Sequence, residues 1–131
     1  MMPAFQTPMI NLYARDLPRL QAFYEGFGFV ETFRVPKTGV ADHVELRLDG
    51  FTLGIARIEA AAAHHGLAPK GDGRWIEIIL WTDDLDTAYA DCLTSGSESL
   101  SEPHVFLEGR LKAAWVADPE GNPVQFVQKL G

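Results

Sequence analysis

Ala14-Arg15-Asp16-Leu17 opens an amphipathic run that reaches Gly28, and Thr82-Asp83-Asp84-Leu85 opens a second that reaches Gly96. Asp16 aligns with Asp84, Leu17 with Leu85 and Gly28 with Gly96 at one constant offset, so the chain repeats itself once. Each Asp is placed to cap a helix, because its carboxylate can accept the free N–H groups of the first turn. Pro18 stands where a first-turn proline costs nothing. The spacing predicts a first helix over about 17–27, with Leu20, Phe23, Tyr24 and Phe27 on one face. It predicts a second over about 85–95, with Ala88, Tyr89, Cys92 and Leu93 on its face. Gly28 and Gly96 suit helix ends that need a left-handed residue.

Outward from the helices, the pattern changes to strands. A strand-like segment precedes each Asp, and three follow each helix. In the first half these are about 29–35, 40–48 and 51–57, broken at Pro36 to Gly39 and at Asp49-Gly50. In the second half they are about 98–106, 110–117 and 123–129, with turns at Glu108-Gly109 and at Asp118 to Asn122. The fold class is therefore α+β, with two tandem βαβββ modules in one domain spanning 1–131. Module one covers about 8–58, a linker 59–73 and module two about 74–130. Within the linker Ala60 to Ala63 can begin a short helix, while Pro69, Gly71 and Gly73 read as flexible chain. Two such sheets side by side would make one concave mixed sheet, and pockets tend to form between units of this kind.

Composition narrows the function classes. A chain of 131 residues, 47% hydrophobic and 22% charged, has the balance of an ordinary globular domain. Cys92 is the single cysteine, so no intrachain disulfide is available, and it reads as a small buried side chain. The net charge of −7 argues against a phosphate-binding surface, hence against nucleic acid as a partner. Most of that charge lies in residues 67–131, which suits solubility or, as a sharper alternative, a field that favours cationic ligands. No apolar run is long enough to cross a membrane, and Met1 to Pro8 lacks the pattern of a signal peptide. The expectation is a cytoplasmic protein.

Three features together carry a family resemblance. They are Ala14-Arg15-Asp16-Leu17, then Phe23-Tyr24 with Phe27-Gly28-Phe29, and finally Ala117-Asp118-Pro119-Glu120-Gly121-Asn122-Pro123-Val124-Gln125-Phe126. The chain resembles the vicinal-oxygen-chelate superfamily, the glyoxalase, bleomycin-resistance and dioxygenase proteins, over residues 8–130. It looks most like the metal-free bleomycin-resistance-like members. The Asp-Pro-x-Gly-Asn turn is the more specific signal, since Pro presets one turn residue while Gly and Asn tolerate positive φ.

The resemblance implies a paired βαβββ fold, often a homodimer. In many members it also implies one metal held by four side chains. Carried over one at a time, those positions are Met9, seven residues before Asp16; Glu77, seven before Asp84; Gln125, three after Asn122; and about Gly54. Glycine offers no donor, and a thioether suits Zn, Fe or Mn poorly. The expectation is a protein with no metal and no cofactor.

Strand alternation gives the lining of the cavity the resemblance implies. Met9, Asn11 and Tyr13 would face inward while Ile10, Leu12 and Ala14 face the helix. Glu77, Ile79 and Trp81 would face inward while Ile76, Ile78 and Leu80 pack behind. Gly54 sits in an inward row of small residues with Thr52 and Ala56. Gln125 joins the lining, as do His43, Glu45 and Arg47 opposite the core residues Val44, Leu46 and Leu48. Each has a bland alternative: Tyr13 and Trp81 as core aromatics, Glu45 with Arg47 as a solvated pair, Glu77 as a surface carboxylate and His43 as a structural histidine. His64-His65 reads as a solvated loop and His104 as a surface residue.

The leading functional reading is a metal-independent protein that binds or sequesters a small aromatic or cationic compound. The alternatives are a glyoxalase- or dioxygenase-like lyase or oxidoreductase with a nonstandard metal site, and a scaffold with no small ligand.

Overall fold

A computed structural model describes residues 4, 7, 9–65, 67 and 76–131. The chain divides into two compact units, residues 1–71 and 72–131. The first contains β1 (Ile10–Ala14), α1 (Leu17–Glu25), β2 (Val30–Val35), β3 (His43–Leu48), β4 (Phe51–Arg57) and α2 (Ile58–His65). The second contains β5 (Ile78–Trp81), α3 (Leu85–Thr94), β6 (Ser99–Phe106), β7 (Leu111–Ala117) and β8 (Pro123–Lys129). The sheet order is β1-β4-β3-β2 in one unit and β5-β8-β7-β6 in the other. The first strand of each unit runs parallel to the last strand of its βαβββ module, and the remaining pairs are antiparallel. The two βαβββ modules are thus one topology built twice.

The helix starts follow the capping signal. The Asp16 carboxylate accepts from the Arg19 N–H at 3.2 Å, and Pro18 sits in the first turn. The Asp84 carboxylate accepts from the Thr87 N–H at 3.2 Å and from its hydroxyl at 2.8 Å. Those two bonds hold the Asp84 carboxyl below its usual range. Gly28 and Gly96 have φ of +105° and +100°, the left-handed geometry that lets the chain leave each helix toward its next strand. The β3–β4 turn is two residues long, with Asp49 at φ +48° and Gly50 at +84°; two positive values match the natural twist of a hairpin. Pro103 is tolerated because β6 is an edge strand, with register shifts on either side of Ser101.

In unit one, Leu17, Leu20 and Tyr24 of α1 pack with Leu12, Ala14, Val44, Leu46, Leu53 and Ile55 among the buried core residues. Tyr24 meets Phe23 and Phe29 edge-on at 5.1 and 5.8 Å, the arrangement that aromatic quadrupoles favour. In unit two, Ile78, Leu85, Cys92, Ala114, Val116, Val124 and Phe126 are buried.

Several boundaries and faces differ from expectation. The short helix expected from Ala60 to Ala63 extends over 58–65, so His64 and His65 end a helical turn and are exposed there rather than lying in a loop; Pro69, Gly71 and Gly73 lie outside the described residues. Leu85, fully buried, completes the face of α3, whereas Leu93 is 38% exposed. Leu85, Ala88 and Cys92 already fill the stripe toward the sheet, and Leu93 falls one row to its side. Ile76 precedes β5 and is 52% exposed, because the ladder with β8 begins only at Ile78. The third strand begins at His43, after Asp42 has bonded its N–H to the Val35 carbonyl at 2.7 Å.

Cys92 is buried, and that burial pushes its thiol pKa up. The thiol is therefore expected to react slowly with an aromatic disulfide reagent at mildly alkaline pH and rapidly once guanidinium unfolds the chain. Equal rates in both conditions would contradict its placement. Among the described residues no helix is long and apolar enough to cross a membrane.

Candidate functional site

Register fixes which side chains of unit one share the sheet face turned away from the core. One row across the strands is Tyr13, Ala56, His43 and Val35; the next is Asn11, Gly54, Glu45 and Phe33; Thr52 and Arg47 pair in a third. Tyr13 is 38% exposed and His43 is half-buried, which the bland readings as core aromatic and structural histidine do not require. The His43 Nε2 lies 3.3 Å from the Glu45 carboxylate. Arg47 is exposed on the same face.

A cavity of about 590 Å³ opens over the first row. Asn11, Tyr13 and His43 line it, together with Val35, Ala56 and Asp42 from the strand ends and Ala60, Ala61, His64, His65 and Leu67. Met9, Glu45, Arg47 and Gly54 are not part of that lining. One wall is α2, whose Ala60 and Ala61 are buried while its last turn presents the two imidazoles. Arg57, at the end of β4, donates to one Asp42 oxygen from Nε at 3.1 Å and from Nη2 at 2.6 Å. The Asp42 bond raises the Arg57 pKa further, so this guanidinium stays charged. His64 Nε2 lies 3.8 Å from the other Asp42 oxygen.

Unit two has a corresponding face. Ile79, Gln125, Trp115 and Ser101 form one row, and Trp81, Val127, Ala113 and His104 the next. Trp115 donates its indole N–H to the Glu77 carboxylate at 2.9 Å and stacks on His104 at 6.0 Å and 16°. Gln125 is nearly buried, Ile79 and Trp81 are about half exposed, and Lys129 Nζ lies 5.7 Å above the Trp81 ring. Trp115 was not expected here. Apolar and small residues fill both faces of β7, so alternation alone gave that strand no direction; only its pairing with Gln125 does.

The four positions that the resemblance offers to a metal do not fit one. Gly54 has no donor, and a Cβ there would overlap the Asn11 carboxamide oxygen and come 3.0 Å from the Met9 methyl. The place of a ligand side chain on β4 is thus filled by Asn11, which leans across from β1. Glu77 spends an oxygen on Trp115. Among the described residues no group of three His, Cys, Asp or Glu could hold a metal ion. These faces offer aromatic surface, imidazoles, amides and paired carboxylates.

Comparison with known proteins agrees with the doubled topology. The family model described as Glyoxalase/Bleomycin resistance protein/Dioxygenase superfamily matches residues 6–126. Comparison with curated proteins gives no match. Among solved structures, the chain is similar to a glyoxalase/bleomycin resistance protein/dioxygenase family enzyme from Burkholderia phytofirmans PsJN, at 21% identity and a TM-score of 0.79. That likeness covers 92% of this chain and 95% of that one. TioX from Micromonospora sp. ML1 is similar at 22% identity and a TM-score of 0.72, over 95% and 100% of the two chains. Lactoylglutathione lyase from Agrobacterium tumefaciens follows at 19% and 0.68, over 96% of each. At these identities the solved structures establish the fold alone. With the family model matched from the first strand into the last, the chain belongs to the glyoxalase/bleomycin resistance protein/dioxygenase superfamily.

Proposed function

We propose that the protein binds and sequesters a small aromatic compound without a metal, as the bleomycin-resistance-like members of its superfamily do. The observation that carries this reading is the cavity of about 590 Å³ in unit one, with the Tyr13 ring beside an apolar floor of Val35, Ala56, Ala60, Ala61 and Leu67. Ligand sites are typically concave and mostly apolar, with a few polar groups that fix orientation; Asn11, His43 and the imidazoles of α2 are those groups here. The charged groups near these faces are in part paired with one another. Asp42 already bonds Arg57, and Glu45 lies against His43. On the second sheet Lys129 already stands over Trp81, where a ligand cation would sit.

The test is a thermal-shift screen of aromatic compounds, neutral and charged, followed by calorimetric titration of the tightest binder. A ligand of the native state raises the melting temperature in proportion to the logarithm of its concentration over Kd. Replacing Tyr13 with Ala is expected to weaken binding by about tenfold, since aromatic anchors dominate such contacts. If no compound stabilises the protein, or if Tyr13→Ala binds as the wild type does, the cavity is not the ligand site.

A further inference from the structure

We propose that Asn11 sets the specificity of this cavity, and that the ligand carries beside its aromatic ring an uncharged group that both donates and accepts hydrogen bonds, a carboxamide or a lactam. The inference rests on the reading of the cavity as the ligand site and adds the polar group that the site selects. Asn11 and Tyr13 both line the cavity from one face of β1, with Cα atoms roughly 7 Å apart at the usual strand rise. Among the described residues the Asn11 carboxamide makes no hydrogen bond. Gly54 makes its place. The parallel register sets Gly54 of β4 beside Asn11. The carboxamide lies so close over the glycine that a Cβ there would overlap its oxygen and come 3.0 Å from both its carbon and the Met9 methyl. Gly54 is buried on this face, covered by those two side chains, and does not itself line the cavity. It is a positioning residue: any side chain at 54 would push the amide off this spot.

A primary carboxamide offers two N–H donors and an oxygen that accepts. The ligand group that uses both is one that also gives and takes. Its N–H donates to the Asn11 oxygen while its carbonyl accepts from the Asn11 N–H. A carboxylate would use only the N–H groups, and it would enter among Asp42, Glu45 and Glu59, which outnumber Arg57. An ammonium would use only the oxygen. Asn11 is exposed to water. A ligand lying on it displaces that water, so a ligand that matches one side of the amide alone forfeits about one hydrogen bond, roughly tenfold in affinity.

The probes are 2-naphthamide, 2-acetylnaphthalene, in which a methyl replaces the amide nitrogen, and 2-naphthylmethylamine. Each is titrated calorimetrically into the wild type, N11A, G54A and N11A/G54A. The wild type is expected to bind naphthamide about tenfold tighter than the ketone. N11A and G54A are each expected to bring that ratio close to one, and the double variant to match the single ones, because all remove the same contact. A glycine needed only for folding would instead weaken both compounds together and lower the melting temperature. G54A is expected to melt no lower than the wild type, since the Gly54 backbone lies outside the left-handed region and alanine suits a strand better than glycine. A ratio near one in the wild type, tighter binding of the amine than of the amide, or a preference that survives N11A would each overturn the amide while leaving the cavity as a ligand site. A preference that survives G54A would overturn the role of Gly54. If no aromatic compound binds, among these probes or in the screen, both readings fall.

Discussion

Replacing Asp118 with Ala is expected to lower the melting temperature by about 10 °C. Asp118 opens the turn between β7 and β8 and is only 3% exposed. One carboxylate oxygen accepts from the backbone N–H groups of Glu120 and Asn122, each at 2.9 Å, and the other from the Asn122 amide at 2.8 Å. Its own N–H donates to the Asn122 carbonyl and its carbonyl accepts from Gly121, both at 2.8 Å. Alanine keeps the two main-chain bonds and removes these three carboxylate bonds, so the part-buried donors of Glu120 and Asn122 lose that acceptor. Bonds to a charged group contribute more than neutral ones and do not add fully, so the net cost is about 3 kcal/mol. Asp118→Asn keeps one acceptor but turns an amide toward the Asn122 amide, and an intermediate loss follows. A thermal melt checks both. An Asp118→Ala protein melting within about 2 °C of the wild type would show that the turn holds its shape without the carboxylate.

The same turn illustrates what the sequence made legible. Its residues are chosen by backbone geometry, with Gly121 at φ +89°, and so are the caps at Asp16 and Asp84 and the Asp49-Gly50 hairpin. Such signals are local, and the doubling of the chain set them in register. With both helices anchored, β1 could be read face by face: Leu12 and Ala14 are buried, Asn11 and Tyr13 are not, and Tyr13 and Asn11 reach the cavity. What was not legible depends on packing. Ala60 to Ala63 show no apolar face because alanine is the same on every side, yet α2 supplies a cavity wall through Ala60 and Ala61. Its two histidines belong to the candidate site only because the helix carries them there. The sequence left Gly54 as a missing ligand; its physical role is to let the Asn11 amide lie across β4, which depends on the parallel pairing of β1 with β4. On the second sheet, Trp115 became a site residue only through its partners Glu77, His104 and Gln125.

Ala56→Trp is expected to weaken binding of the tightest aromatic compound from the screen by roughly thirtyfold, about 2 kcal/mol, with the melting temperature almost unchanged. Ala56 sits on β4 between Tyr13 on β1 and His43 on β3, and all three line the cavity. It is half-exposed and lies opposite the buried face of Leu53 and Ile55, so a larger side chain rises into the cavity and not into the core. Tryptophan is well accommodated on a strand beside an aromatic neighbour, so the sheet keeps its stability to within about 0.5 kcal/mol. The indole would stand between the Tyr13 ring and the imidazole end, so a ligand would lose one side of its contacts or be displaced. Ala114→Trp meets the opposite constraint: Ala114 is fully buried on β7, and overpacking there is expected to lower the melting temperature. Calorimetric titration alongside a thermal melt separates the cases. Full affinity in Ala56→Trp, with the fold intact by circular dichroism, would place the ligand elsewhere and leave the histidine end of α2 without an aromatic compound to hold.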